Sequence, residues 1–130
     1  MVGIVVVSHS RKLAQEIIEF SMEMAQMDIR VINAGGTSDE RFGTDATIIM
    51  NAIQKADDGS GVVVLVDLGS SIMSANMAIE FLDEDLQKRV FIADAPIVEG
   101  AISAISQASI GSSLEEVKKS AERAKEYSKK

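Results

Sequence analysis

A chain of 130 residues, 46% of them hydrophobic and 25% charged, has room for one apolar core and none of the marks of disorder. A formal net charge of −7 disfavours nucleic acid and anionic membrane surfaces, whose binding draws on Lys and Arg. The absence of cysteine removes disulfides and thiolate chemistry, and no apolar run is long enough to span a membrane, so the expectation is one cytoplasmic domain over residues 1–130.

Gly3 to Val7 reads as a strand covered on both faces, because four β-branched residues follow one another without alternation. Leu13, Ile17, Phe20, Met24 and Met27 then recur at helical spacing and predict a helix from Ser10 with that stripe inward. Asp28 to Asn33 is a second, more polar strand, leading into a glycine-rich loop over residues 34–43. Thr44 is the expected N-cap of the next helix, with Asp45 at its positive end and Ala46, Ile49, Ile53 and Ala56 as its apolar stripe. Val62 to Val66 is the clearest buried strand, and a helix is expected over Ile72 to Leu82 behind Asp67-Leu68-Gly69-Ser70-Ser71.

Val90 to Ala93 predicts a fourth strand. Pro96 sits where a helix can start without an N–H to satisfy, and the helix is expected to run from Ile97 to Ala108 and stop at Gly111. Ser113 with Glu116 forms a capping box for a charged last helix, expected to fray after Ala124. The methionines, Met73 and Met77 among them, fall mostly in helical patterns and read as core filler. Strand and helix alternating four times predict an α/β fold: an open, mainly parallel sheet of four or five strands with helices on both faces.

Function in such a sheet collects in the loops after the carboxyl ends of the strands. His9, the chain's single imidazole, follows the first strand; residues 35–44 follow the second and 67–71 the third. Without Cys or a second His, a metal site would rest on carboxylates alone, and the neighbouring sequence supplies no cluster, so no metal is expected. A Ser70-His9-Asp67 triad is conceivable, but the nucleophile-elbow pattern Gly-x-Ser-x-Gly is missing. A histidine nucleophile for phosphorus fits better: one ring nitrogen attacks while an acceptor holds the proton on the other, and Asp67 is the candidate acceptor. Its plainer role is to cap the following helix. Gly35-Gly36-Thr37, Gly43-Thr44 and Gly69-Ser70-Ser71 are candidate donors to phosphoryl oxygens, although each taken singly reads more simply as a turn. No Walker or GxGxxG pattern accompanies them. Arg11 and Lys12 could steer a phosphorylated partner or simply sit in solvent.

Four blocks carry a resemblance: Val5-Val6-Val7-Ser8-His9-Ser10, Gly43-Thr44-Asp45-Ala46, Val66-Asp67-Leu68-Gly69-Ser70-Ser71 and Ala95-Pro96-Ile97-Val98-Glu99-Gly100. In order and spacing they resemble the phosphotransfer subunits of PTS-dependent dihydroxyacetone kinases (DhaM), whose fold is similar to mannose-type enzyme IIA domains. The resemblance implies that His9 accepts a phosphoryl group from phospho-HPr, the histidine phosphocarrier protein. It further implies delivery to ADP held on the kinase's nucleotide-binding subunit, the ATP so formed phosphorylating dihydroxyacetone on the dihydroxyacetone-binding subunit. Asp67 matches the aspartate beside the family's active histidine. A homodimer is implied, with no tightly bound cofactor beyond a transient phosphohistidine. Some members fuse HPr-like and enzyme I-like domains to this one; the chain stops after one domain, so a separate HPr is expected. Two alternatives stay open. One is a sugar-transport IIA component donating to a IIB domain, which Leu68-Gly69-Ser70-Ser71 disfavours; the other is a non-catalytic anion-binding regulatory module.

Overall fold

The two uninterrupted apolar runs become the two central strands. In the computed structural model, which describes residues 1–130, β1 (Gly3–Val7) and β3 (Val62–Val66) lie side by side, and all ten of their residues are buried. Short β2 (Val31–Asn33) and β4 (Val90–Ile92) flank them, giving a four-stranded, all-parallel sheet in the order β2-β1-β3-β4. The expected α/β architecture is thus present with four strands. Side chains alternate across each strand. Ile4, Val6, Val63 and Leu65 point into a core formed with α1 (Arg11–Met22), α5 (Ile97–Ser109) and α6 (Leu114–Arg123). Val5, Val7, Val62, Val64 and Val66 point into a second core beneath α2 (Ala46–Ala56), α3 (Gly69–Glu80) and the short α4 (Glu84–Gln87). Each such side chain, taken fully out of water, contributes about 1.5–3 kcal/mol before entropy is counted.

Several boundaries and faces differ from the expectations. The buried residues of α1 are Ala14, Ile17, Ile18 and Ser21, while Leu13 and Phe20 are exposed. The helix lies close against the sheet and α5, and small Ala14 and Ser21 permit that approach where Leu13 and Phe20 do not fit. Met24 and Met27 fall beyond the helix end at Met22, so helical spacing no longer governs them, and both are exposed. Met73 and Met77 are likewise on the surface rather than in the core; α3 meets the sheet through Ala75 and Ala78. The second strand pairs over only three residues, Val31 to Asn33. Asp45, not Thr44, caps α2, because its carboxylate reaches the N–H groups of Thr47 (2.8 Å) and Ile48 (3.3 Å). Helix α3 begins at Gly69, three residues earlier than the apolar pattern indicated. Ser113 caps α6 as expected, and a single 3-10 turn, Ala124–Glu126, follows it. No helix is long and apolar enough to cross a membrane.

Candidate functional site

The strand order decides where the site lies. The chain leaves β1 toward β2 on one side, whereas β3 and β4 build outward on the other, so the connections diverge between the carboxyl ends of β1 and β3. That is the topological switch point at which open parallel sheets hold ligands. Val7 and Val66 are cross-strand partners there, and the Asp67 N–H donates to the Val7 carbonyl (3.2 Å). His9 and Asp67, 58 residues apart in sequence, are therefore brought within a hydrogen bond of each other.

Asp67 accepts from five donors. Its Oδ2 receives the Ser8 hydroxyl and the His9 backbone N–H, each at 2.9 Å. Its Oδ1 receives the Ser71 hydroxyl (2.7 Å), the Leu68 N–H (2.7 Å) and His9 Nδ1 (3.0 Å). Burial by itself raises the Asp67 carboxyl, but the bonds from the His9 backbone, Ser71, the His9 ring and Ser8 outweigh it and hold the group well below the usual carboxylate range. An ionised carboxylate can only accept, so the imidazole proton sits on Nδ1 and Nε2 presents its lone pair. The Ser70 hydroxyl donates to that lone pair at 2.8 Å. The imidazole remains 28% exposed while the Asp67 side chain is 11% exposed, so the ring reaches solvent more freely than its anchor.

The candidate donors divide into two groups. Gly36 N–H is spent on the Ser8 carbonyl (3.0 Å), Gly43 N–H on the His9 carbonyl (2.8 Å) and Thr37 N–H on the Arg41 carbonyl (3.2 Å). These glycines and Thr37 brace the backbone around His9 rather than presenting free amides. Gly36 needs its freedom, since φ is +74° and an added Cβ would stand 3.2 Å from the Arg11 Cβ. The Thr44 hydroxyl pairs with Ser74 Oγ at 2.6 Å, tying the loop to α3. Ser71 orients Asp67, and Ser70 alone of the hydroxyl candidates contacts Nε2. At the start of α3, the Gly69 and Ser70 N–H groups have no acceptor in the protein, as expected of a first helical turn. Sequence reasoning missed Ser8 and Ser74. Ser8 is fully buried, donates to Asp67 and accepts from the Ser10 N–H (3.0 Å); its place directly before the lone histidine was the available signal.

A largely buried Asp side chain fixing one face of a part-exposed imidazole, at the switch point of a 2-1-3-4 sheet, is a geometry that comparison with known proteins can place. The family described as PTS system fructose IIA component (EIIA-man) matches residues 3–118. The chain belongs to this family. A Listeria innocua protein named PEP-dependent dihydroxyacetone kinase 2, phosphoryl donor subunit DhaM, is 38% identical over 117 residues, covering 90% of the chain and 94% of that protein. The DhaM subunit of a Lactococcus lactis PTS-dependent dihydroxyacetone kinase is 31% identical, covering 93% of the chain and 94% of that protein. A DhaM of Providencia stuartii is 38% identical over 95% of the chain, but the chain spans only 27% of that longer protein. Among solved structures, the crystal structure of a protein of unknown function, EF1359, superposes with a TM-score of 0.84 at 33% identity, covering 94% of the chain and 93% of that structure. The resemblance drawn from the sequence blocks is thereby confirmed as membership of the EIIA-man family, alongside DhaM subunits.

Proposed function

We propose that this EIIA-man domain is the phosphoryl donor subunit of a phosphoenolpyruvate-dependent dihydroxyacetone kinase, a cytoplasmic carrier working through a phosphohistidine at His9. The observation that carries the proposal is the Asp67 carboxylate 3.0 Å from Nδ1: an acceptor there calls for the proton on Nδ1 and leaves the Nε2 lone pair at the mouth of the site. Nε2 attacks the phosphorus of phospho-HPr, a P–N bond forms, and the donor nitrogen leaves with its electron pair. The ring becomes an imidazolium whose Nδ1–H stays on Asp67, so the new positive charge faces a carboxylate. Ser70 turns its hydroxyl from Nε2 to a phosphoryl oxygen, joined by the free N–H groups of Gly69 and Ser70. In the second half-reaction the terminal phosphate oxygen of ADP on the nucleotide-binding subunit attacks, and the P–N electron pair returns to Nε2. The ATP so made serves the dihydroxyacetone-binding subunit, and the carrier works as a homodimer. The names of the Listeria and Lactococcus relatives support the kinase assignment over a sugar-transport IIA role.

The test is intact-mass spectrometry after incubation with phosphoenolpyruvate, enzyme I and HPr. One acid-labile phosphoryl group is expected on the wild type and none on His9→Ala. An uncharged wild type, with HPr itself phosphorylated, refutes the carrier role and leaves the anion-binding module.

A further inference from the structure

Starting one residue after His9, on the β2 side, lies a cleft of about 360 Å3 lined by Ser10, Arg11, Lys12, Glu40, Arg41 and Phe42. It brings three cations together on a molecule of net charge −7. Two lie at the start of α1 and the third on the loop that follows β2. The packing there is close: a Cβ at Gly35 would stand 3.0 Å from the Arg11 Cα and 3.0 Å from the Ser10 carbonyl, so only glycine lets the loop cross the start of α1. Thr37 then ties the loop into one shape. Its N–H donates to the Arg41 carbonyl (3.2 Å), and its hydroxyl accepts from the Arg41 N–H (3.1 Å) and meets the Asp39 carboxylate. Closing the turn places Glu40 at φ +62°, a conformation that costs a non-glycine residue about 1 kcal/mol or more, and which persists only where the surroundings impose it. The product of that strain is an outward Arg41 and a Phe42 that is 85% exposed. The Gly43 N–H on the His9 carbonyl couples this loop to the active residue.

Carboxylates are present as well. Glu40 lines the cleft and Asp39 pairs with Arg41 at 2.7 Å, whereas Arg11 and Lys12 have no carboxylate partner. The chemistry of the two half-reactions separates their uses. On charging, one dianionic phosphoryl group meets a neutral imidazole. On discharge, a phosphohistidine bearing about −1.5 to −2 must be approached by a polyphosphate, anion against anion, beside a protein that is itself acidic. Cations are needed at the second encounter, where charge in transit spreads over the transferring oxygens.

The geometry points to Arg11, Lys12 and Arg41 as a polyphosphate-recognition subsite, receiving the diphosphate of a nucleotide presented by the acceptor subunit. This rests on the carrier reading of His9. The three cations hold the diphosphate while its terminal oxygen attacks the phosphorus; the P–N bond breaks and its electron pair returns to Nε2. Phe42 is the apolar lip of the subsite.

The test separates the two half-reactions by quenched mass spectrometry on the full chain. In the triple variant Arg11→Gln, Lys12→Gln, Arg41→Gln, charging by phospho-HPr is expected to stay within about twofold of wild type. Discharge to the ADP-loaded nucleotide-binding subunit is expected to slow by about 10- to 100-fold, with a flatter dependence on ionic strength. The charge-retaining variant Arg11→Lys, Arg41→Lys should recover most of the loss, which a role in folding would not predict. Slowed charging with normal discharge overturns the proposal and makes the cleft a donor contact. Normal rates in both steps overturn it as well and leave a solvated surface. A wild type that charges but does not discharge to the ADP-loaded subunit removes the acceptor and this subsite together. A wild type that never charges removes the carrier reading beneath both.

Discussion

Replacing Asp67 by Asn isolates the contribution of one carboxylate to phosphoryl transfer. The side chain keeps its shape and an oxygen for the Ser8 hydroxyl and the His9 N–H, both at 2.9 Å, so the turn after β3 persists. What disappears is the charge facing Nδ1 across 3.0 Å, the requirement that Nδ1 hold the proton, and the acceptor for the Ser71 hydroxyl and the Leu68 N–H, each at 2.7 Å. An amide can present its NH2 to a bare Nδ1, which moves the proton to Nε2 and removes the nucleophile's lone pair. A hydrogen bond between charged groups is worth about 1.5–3 kcal/mol, and the imidazolium that forms on phosphorylation has only Asp67 to face, so the transfer rate should fall about 10- to 150-fold. Rapid-quench measurement of phosphohistidine formation at saturating phospho-HPr gives that rate, and thermal melting at pH 7 confirms that the variant is folded. Nitrogen NMR of the ring adds a structural readout, with the proton on Nδ1 in wild type and a shifted tautomer balance in the variant. Wild-type charging with an unchanged tautomer would refute the reasoning and reduce Asp67 to a brace for the turn before α3.

Ser70→Ala removes the hydroxyl 2.8 Å from Nε2 on an exposed first turn, so stability should hold while the phosphohistidine hydrolyses about 2- to 10-fold faster; an unchanged lifetime means the hydroxyl never meets the phosphoryl group. Gly61→Ala should destabilise the fold strongly in denaturant titration. Its φ of +101° and a Cβ 2.8 Å from the Arg89 carbonyl leave the backbone to shift, and a midpoint matching wild type would show that the turn before β3 yields easily. Asp57→Ala breaks a two-bond pairing with Arg89 (2.7 and 3.1 Å) and leaves the Gly59 and Gly61 N–H groups unpaired, at the opposite end of the sheet from His9. A loss of about 1–3 kcal/mol is expected with charging unaffected, and slowed charging would contradict the separation of the two ends. Asp57, through its bond with Arg89, and Asp67, through its donors against the opposing effect of burial, both sit below the ordinary carboxylate range. Their stabilisation is present above about pH 4 and is lost as pH falls through the folded-state values. Acid melts should therefore steepen below pH 4 in wild type and less so in Asp67→Asn; parallel curves would show that the unfolded chain already protects that group.

The chain's own pattern was enough for the two central strands, because a strand buried on both faces must be apolar at every position, and residues 4–7 and 62–66 are. It was enough for His9 and Asp67 as candidates, since strand-end loops carry function and each is a polar residue directly after or one residue beyond such a run. Their partnership was open until the strand order was known. Parallel strands 59 residues apart can be neighbours or not, and only the order β2-β1-β3-β4 puts the end of β1 against the end of β3. The inner face of α1 was illegible for a related reason. Hydrophobicity favoured Leu13 and Phe20, but the distance between helix and sheet favoured Ala14 and Ser21, and that distance belongs to neither segment alone. The same holds for the exposed Met73 and Met77, for the Ser70 bond to Nε2, and for the three cations brought to one cleft. Local pattern specifies which residues avoid water and where the chain turns; which polar groups meet is set by long-range packing, whose geometry no single stretch of sequence contains.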